Sequence, residues 1–415
     1  MRISTIQAFN NGVSGLQRNY ADVTRTQEQI STGNRVLTPA DDPVASVRLL
    51  QLEQQQSVLG QYNENLVAAD SSLTQEEVTL NSVNTILQQV RELAVQAGNG
   101  ALSKEDRESI AAELGEREEE LFALVNTRNA RGEYLFSGFQ GKTQAFVRDA
   151  DGFYSYQGDE GQRKLQIASS LQVAISDSGK AIFEDIVNAG RLDGALDLTG
   201  APGSTLSASA PLVQDEVAFG STPPFPEAGV EIIFGNPDAN SYEVFEIGAP
   251  APAPVLASGS LDDDPDTSDQ LVFRGVSILF DGTAVGGESL QVTVDPTRQK
   301  QGILDTIATL RRTLEDPAST EAQIRDSVAV GLTNLDNGMV NVDSVRGEIG
   351  ARRNVIDTTL TDNEDVALVN KGIQADLREL DYPEALSRLS FQSIILEASQ
   401  QSYVKIASLN LFSKM

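Results

Sequence analysis

The sequence predicts an α+β protein in which long antiparallel helices from both chain ends build a rod or coiled coil and a β-rich outer domain is inserted between them. Three observations carry this. Apolar residues step by three and four at both termini, and the same stepping runs through long stretches on either side of the middle. Between residues 133 and 300 that period gives way to short β-type runs punctuated by glycine and proline. The segments that follow are an N-terminal coiled-coil arm and joint (1–40), the first half of a helical rod (41–132), the β-rich insert (133–300), the second half of the rod (301–384) and a C-terminal coiled-coil arm (385–415).

The first arm places Ile6, Phe9, Val13, Leu16, Tyr20, Val23, Gln27 and Ile30 on a heptad seam. A globular surface helix carries a wider apolar face, so this narrow stripe predicts pairing with another helix. The pattern breaks at "TGNRVLTPADDP" (32–43). Gly33 supplies a left-handed residue to end the helix, Pro39 keeps the link extended, and Asp42 with Pro43 at the first helical position starts the next helix. Asp41 and Asp42 read as caps rather than as an acid/base pair, since adjacent carboxylates do not by themselves face one another.

From Leu59 to Ala97 the stepping resumes through Tyr62, Leu66, Ala69, Leu73, Glu76, Leu80, Val83, Leu87, Val90 and Ala94, and Gly98 and Gly100 end it. "SKED" (103–106) is a capping signal for a helix through Ile110, Leu114, Leu121 and Leu124. In the insert, "AFVRDADGFYSY" predicts a hairpin around Asp151 and Gly152, and "VEIIFGNPDANSYEVFEI" another around Asn236 and Pro237. The helical stepping returns at Val328, Leu332, Leu335, Met339, Val342, Ile349 and Ile356. The last arm carries a weaker seam of Leu386, Leu389, Leu396, Tyr403 and Ala407, interrupted by Ser393 and Gln400.

Composition narrows the function. Against 31 basic residues stand 60 acidic ones, and a net charge of -29 repels nucleic acid and anionic membrane alike. Residues 1–35 and 385–415 each carry +2, so the excess negative charge lies between the arms. Surfaces that pack densely against copies of themselves cannot hold a large like charge, whereas an outward surface can. The chain has no cysteine and no histidine, which excludes disulfides, Cys/His metal sites and imidazole-dependent catalysis. No cofactor is expected, and the reading is of a protein that is not an enzyme. The first fifteen residues lack the apolar stretch of a cleavable signal, and no run approaches the roughly 18 apolar residues of a membrane span.

Two motifs imitate ligand sites. "GTAVGGES" (282–289) has phosphate-loop glycine spacing, but Glu288 stands where lysine belongs, so a β-turn between "VSILF" and "LQVTV" is expected. "LDDDPDTSD" (261–269) and "DADG" (149–152) are rich in oxygen ligands but lack the spacing of an EF-hand loop, and read as solvated turns.

Together, "QISTGNRVLTPADDPVAS" (29–46), "LQQVRELAVQAGNG" (87–100) and "YLFSGF" (134–139) resemble the flagellin superfamily of bacterial flagellar axial proteins. "YLFSGF", "GARRN" (350–354) and the C-terminus "YVKIASLNLFSKM" are similar to the hook-filament junction branch of that family. The resemblance implies a structural adaptor that contacts copies of itself, a hook-side junction protein and flagellin. It also implies an extracellular place on the flagellum, export without a cleavable signal, and a cytoplasmic export chaperone at the C-terminal helix, over Leu386 to Phe412. A filament subunit is the alternative within the family, and an adhesin acting through the β insert is the alternative outside it. Arg91, Glu92 and Leu93 resemble the surface that innate receptors recognise on flagellin.

Overall fold

The structure, a computed structural model, describes the backbone of residues 2–412 except 251, 263, 265 and 266, and the side chains of these except 2–6, 8 and 406–412. In chain order it begins with α1 (Arg2–Thr32), α2 (Pro43–Ala97) and α3 (Lys104–Val125). Two hairpins follow, β1 (Phe146–Arg148) with β2 (Tyr154–Tyr156) and β3 (Lys164–Gln166) with β4 (Gln172–Ala174), then a π-helical turn over Lys180–Glu184. Next come β5 (Leu192–Asp197), β6 (Ser207–Ala208), β7 (Leu212–Val213) and the short α4 (Glu216–Gly220). The remaining strands are β8 (Val230–Phe234), β9 (Ser241–Glu246), β10 (Ala257–Ser260), β11 (Asp269–Phe273), β12 (Val276–Asp281) and β13 (Ser289–Val294). Three helices close the chain: α5 (Ile303–Glu315), α6 (Glu321–Arg378) and α7 (Tyr382–Phe412).

The chain forms two compact units, Met1–Leu66 with Ile167–Ser170 and Asp357–Met415, and Val67–Gln166 with Leu171–Ile356. In the first, α1 packs along α7, and the start of α2 lies beside the end of α6, where Asn363 donates to Asn63 at 3.1 Å.

In the second unit the heptad is strict. On α2, Leu73, Leu80, Leu87 and Ala94 recur every seventh residue and are buried, as are Val328, Leu335, Val342, Ile349 and Ile356 on α6. A repeat held at seven keeps each apolar line on the partner, because the helices can supercoil to follow it. The antiparallel pairing is flanked by Arg91 on Asp336 at 2.7 Å and by Arg353 on Asp70 and Glu77 at 2.9 and 2.7 Å. Ser103 begins α3 with a capping box that Asp106 completes.

Glu76 breaks the apolar line on α2. Only 2% exposed, it accepts a hydrogen bond from the Asp177 backbone N–H at 3.1 Å, and the Asp177 carboxylate is gripped bidentately by Arg352 at 2.7 and 2.9 Å. Burial, then the neighbouring Asp177 carboxylate, push the Glu76 pKa from 4.5 up to about 8. Because the folded-state value is the higher one, the stability this group contributes is complete below pH 4.5, declines as pH rises toward 8 and levels off beyond it. Glu76→Gln keeps the acceptor and removes the titration. The variant is expected to exceed the parent by on the order of 1–3 kcal/mol above pH 8 and to match it near pH 4.5. Urea midpoints of both proteins at the two pH values check this, and equal pH slopes would refute it.

Strands β5 to β13 form a sandwich of two antiparallel sheets, ordered β10-β9-β8-β13-β5 and β11-β12-β6, with β7 also on β12. Alternation decides the faces: Val230, Ile232 and Phe234 of β8 and Leu290 and Val292 of β13 point into one core with Ile278 and Phe280 of β12. Both expected hairpins are present, β1 with β2 around the Asp149–Gly152 turn and β8 with β9. The segment joining β12 to β13 does not make a hairpin, because the two strands belong to opposite sheets. Its Glu288 is fully buried and accepts from the Val285 and Gly286 backbone N–H groups at 2.8 and 2.9 Å. The carboxylate thus occupies the amides that a phosphate would need. The sandwich is fastened to α6 by Asp326, which accepts from Ala210 N at 2.8 Å, and by Arg325, paired with Asp281 at 2.8 Å.

The expected insert, 133–300, comprises two parts. The sandwich runs from Leu192 to Val294, while the hairpins before it belong to the helical side, where Tyr154 N donates to Asp305 of α5 at 2.9 Å.

Candidate functional site

The residues the sequence marks for assembly converge in the first unit. α1 meets α7 along Val13, Leu16 and Val23 on one side and Leu389, Leu396 and Tyr403 on the other, all partly buried. Phe9 stacks obliquely on Tyr403 with ring centroids 5.4 Å apart, and Ile30 is partly buried at the far end of α1. Ile6 and Ala407 lie outside the described side chains.

Three expected seam residues are displaced. Tyr20 is 64% exposed, and Asn19 takes its place against α7; Leu386 is 54% exposed, and the fully buried Ala385 takes its place. Gln27 is exposed while Thr26 and Gln29 are buried. The cause is helical geometry: at 3.6 residues per turn a straight helix drifts from a seven-residue repeat, so the buried line moves to a neighbouring position. On α7 the polar positions facing inward are accordingly Gln392 and Ser399, one residue before the expected Ser393 and Gln400. The outward face of α7 presents Leu386, Phe391, Ile394, Ile395 and Val404 to solvent.

The joint is built by backbone geometry. Gly33 has φ 73°, donates to Gln29 O at 2.8 Å to close α1, and would set an added Cβ 3.1 Å from the Tyr382 hydroxyl. Asp42 accepts from Ala45 N at 3.0 Å and caps α2, with Pro43 first in the helix, a contribution of about 1 kcal/mol. Asp41 is not a second cap. It accepts from Thr38 N at 2.8 Å and Leu37 N at 3.0 Å and pairs with Arg25, and these Thr38 and Leu37 bonds with the Arg25 charge hold its carboxyl below the usual range against a smaller opposing effect of burial. Nor does Pro39 extend the link: Asp41 N donates to Thr38 O at 3.0 Å, so Pro39 sits inside a turn, where its fixed φ is favourable.

A second joint, which the sequence reading did not name, lies at residues 379–381 and is stitched to the first. Leu380 N donates to Gly33 O at 2.9 Å, Arg35 N to Arg378 O at 2.7 Å, and Asn34 forms an antiparallel β-bridge with Glu379. Arg35 reaches back to Leu377 O at 3.0 Å and lies 3.5 Å from Asp42. Asp381 starts α7 by accepting from Glu384 N at 3.2 Å, with Pro383 in the first turn. An aspartate cap with a proline in the first turn thus starts both α2 and α7, although Pro43 directly follows its cap and Pro383 comes two residues after Asp381.

The residues that resemble a receptor-recognition surface are not presented together. Leu93 is 6% exposed and faces the core of the second unit, whereas Arg91, paired with Asp336, and Glu92 are both open to solvent. Among the described residues no cluster of three or more acidic side chains could hold a metal ion, and no helix is long and apolar enough to cross a membrane. In "LDDDPDTSD", Asp262 N donates to the Asp269 carboxylate at 3.1 Å, while Asp263, Pro265 and Asp266 lie outside the described residues.

Residues 3–141 match the bacterial flagellin N-terminal helical region. Flagellar hook-associated protein 3 of Salmonella typhimurium is 34% identical over 188 residues, which is 45% of this chain and 58% of that protein, so the match spans little more than half of the relative's length. The crystal structure of flagellar hook associated protein-3 from Legionella pneumophila covers 79% of this chain and 98% of its own, with 26% identity and a TM-score of 0.62. A flagellin of Listeria monocytogenes is 31% identical over a shorter 114 residues, 28% of this chain and 40% of that flagellin. By these comparisons the chain is similar in sequence and in fold to flagellar hook-associated protein 3, and its N-terminal third matches the flagellin N-terminal helical region.

Proposed function

We propose that the chain is a structural adaptor that polymerises at the hook-filament junction and connects the hook-side junction protein to the flagellin filament. The observation that carries this is the pair of terminal arms: α1 and α7 cover one face of each other, while α7 leaves Leu386, Phe391, Ile394 and Ile395 uncovered. A helix with a second open apolar face is stable in water only when something covers that face, and the positive arms of a strongly negative chain can pack side by side without large like-charge repulsion. Copies of the chain cover it laterally, and one axial end meets the hook-side protein while the other meets flagellin. Before export the same face is the one a cytoplasmic chaperone would shield. The adaptor acts outside the cell on the flagellum and does no chemistry.

Immunogold labelling of isolated flagella tests the reading. A band confined to the hook-filament boundary is expected, continuous label along the filament would assign the chain to the filament itself, and label absent from flagella would reject both.

A further inference from the structure

Asparagine followed by glycine occurs three times in the chain, and the fold treats the three differently. Asn11–Gly12 lies within α1 and Asn337–Gly338 within α6. Asn337 is also tied down through its Nδ2, which donates to Val187 O at 3.1 Å, and a Cβ on Gly338 would come 2.9 Å from Ile303. Asn99–Gly100 lies instead in the turn between α2 and α3, with both residues exposed. There Ala101 N donates to Asn99 Oδ1 at 3.2 Å, which folds the side chain back over its own backbone. Gly100 N donates to no acceptor among the described residues, and an added Cβ on Gly100 would meet nothing within 4 Å.

We propose that Asn99 is a site of self-modification, at which the backbone nitrogen of Gly100 converts the asparagine to aspartate and isoaspartate. The nitrogen gives its proton to hydroxide and attacks Asn99 Cγ. The new N–Cγ bond forms, the Cγ–Nδ2 bond breaks, and the departing nitrogen takes a proton from water and leaves as ammonia. Water then adds to either carbonyl of the five-membered imide and opens it to one of the two acids. Three features of the turn favour the first step. The Ala101 N–H already points at the oxygen on which negative charge develops. Gly100 N gives up no hydrogen bond to react, and open space surrounds the ring that forms. In α6 the helical ladder holds the N–H of Gly338 along the helix axis, away from the Asn337 side chain. Either product adds a negative charge to the cleft that Asn99 lines with Arg107 and Arg325. Isoaspartate also lengthens the main chain beside the bond from Leu102 N to Asn99 O. The reaction needs no partner and runs one way, so the converted fraction rises with the age of the molecule.

The full folded chain, held in mildly alkaline buffer and then digested with trypsin, tests this by peptide mass spectrometry, with labelling by an isoaspartyl carboxyl methyltransferase as a second readout. The peptide from Glu92 to Lys104 should gain the mass of an amide-to-acid exchange and split into two chromatographic isomers. Asn337 in the same sample should convert more slowly by at least roughly tenfold. In urea, where α6 is unfolded, Asn337 should convert alongside Asn99. Gly100→Ala fits the open space, and it should slow conversion of Asn99 by on the order of tenfold because a Cβ restricts the backbone that must fold onto Cγ. Asn99→Gln should remove the methyl labelling of that peptide. A folded chain in which Asn99 survives as long as Asn337 overturns the proposal, and so does a Gly100→Ala variant that converts at the parental rate. Both readouts are made on the chain alone and are unaffected if the junction reading fails.

Discussion

Deletion of residues 1–35, or separately of 385–415, is expected to abolish filament growth and swimming and to release monomeric flagellin into the medium. Each deletion removes one partner of the α1–α7 pair and strips the other of its cover along Val13, Leu16 and Val23 or along Leu389, Leu396 and Tyr403. Deletion of 1–35 also opens the double joint, since Gly33 accepts from Leu380 and Arg35 donates to Arg378 across it. An arm left alone carries too little apolar surface to offset the roughly 1–2 kcal/mol per residue of backbone entropy that ordering requires. The loss is therefore of the whole arm rather than of one helix. The second unit keeps its own core and should fold in both truncations, which circular dichroism of the purified proteins can verify. Motility retained by a folded truncation would mean that the arms are dispensable and the adaptor reading is wrong.

Glu118→Ala is expected to destabilise the second unit by about 3–5 kcal/mol, the cost of removing a buried anion from a shared ion network. Glu118 is buried on α3 with a side chain 1% exposed, and three groups from three elements converge on it. Arg311 of α5 donates at 2.8 Å, Arg148 of β1 approaches at 3.3 Å, and the Tyr154 hydroxyl of β2 donates at 2.7 Å. Burial, with that hydrogen bond to Glu118, pushes the Tyr154 phenol above its usual range, so it remains a donor at any ordinary pH. Arg311 has a second carboxylate, Glu315 at 2.9 Å, and Arg148 has Glu119, which limits the penalty to the inner side of the network. Replacing Glu118 and Arg311 together by leucine and methionine should cost much less than either single change, because no buried charge is left unpaired. Urea unfolding of the three variants checks the ordering, and a Glu118→Ala cost below about 1 kcal/mol would show that water reaches the site.

The heptad stretches are legible in sequence because a seven-residue repeat survives any detail of packing. Leu73, Leu80 and Leu87 are buried where the stepping places them, and so are Leu335, Val342 and Ile349 on α6. Hairpins with a local turn are equally legible, since β1–β2 and β8–β9 close through contacts a few residues apart. Tyr20 and Leu386 are displaced from their expected places for a physical reason: a seam in a short arm can drift by one position, and only the partner helix shows which side is covered. Exposure within the receptor-like stretch was not legible, because resemblance identifies residue types and not exposure: Arg91 and Glu92 are exposed and Leu93 is buried.

By itself the sequence determined the helical arms, the rod repeat, the glycine and aspartate–proline signals of the first joint, the acidic insert and the exclusion of imidazole and thiol chemistry. Each of these depends on local spacing or on counting. The tertiary structure alone decided that Asp41 anchors Arg25 while Asp42 caps, that the two joints are bonded into one, that Glu76 and Glu118 are buried carboxyl groups with partners 101 and 193 residues away, and that Asn19 and Thr26 meet Ser399 and Gln392. Those facts depend on residues far apart in the chain being brought within hydrogen-bond distance, and the identity of a polar residue does not state which distant partner will satisfy it.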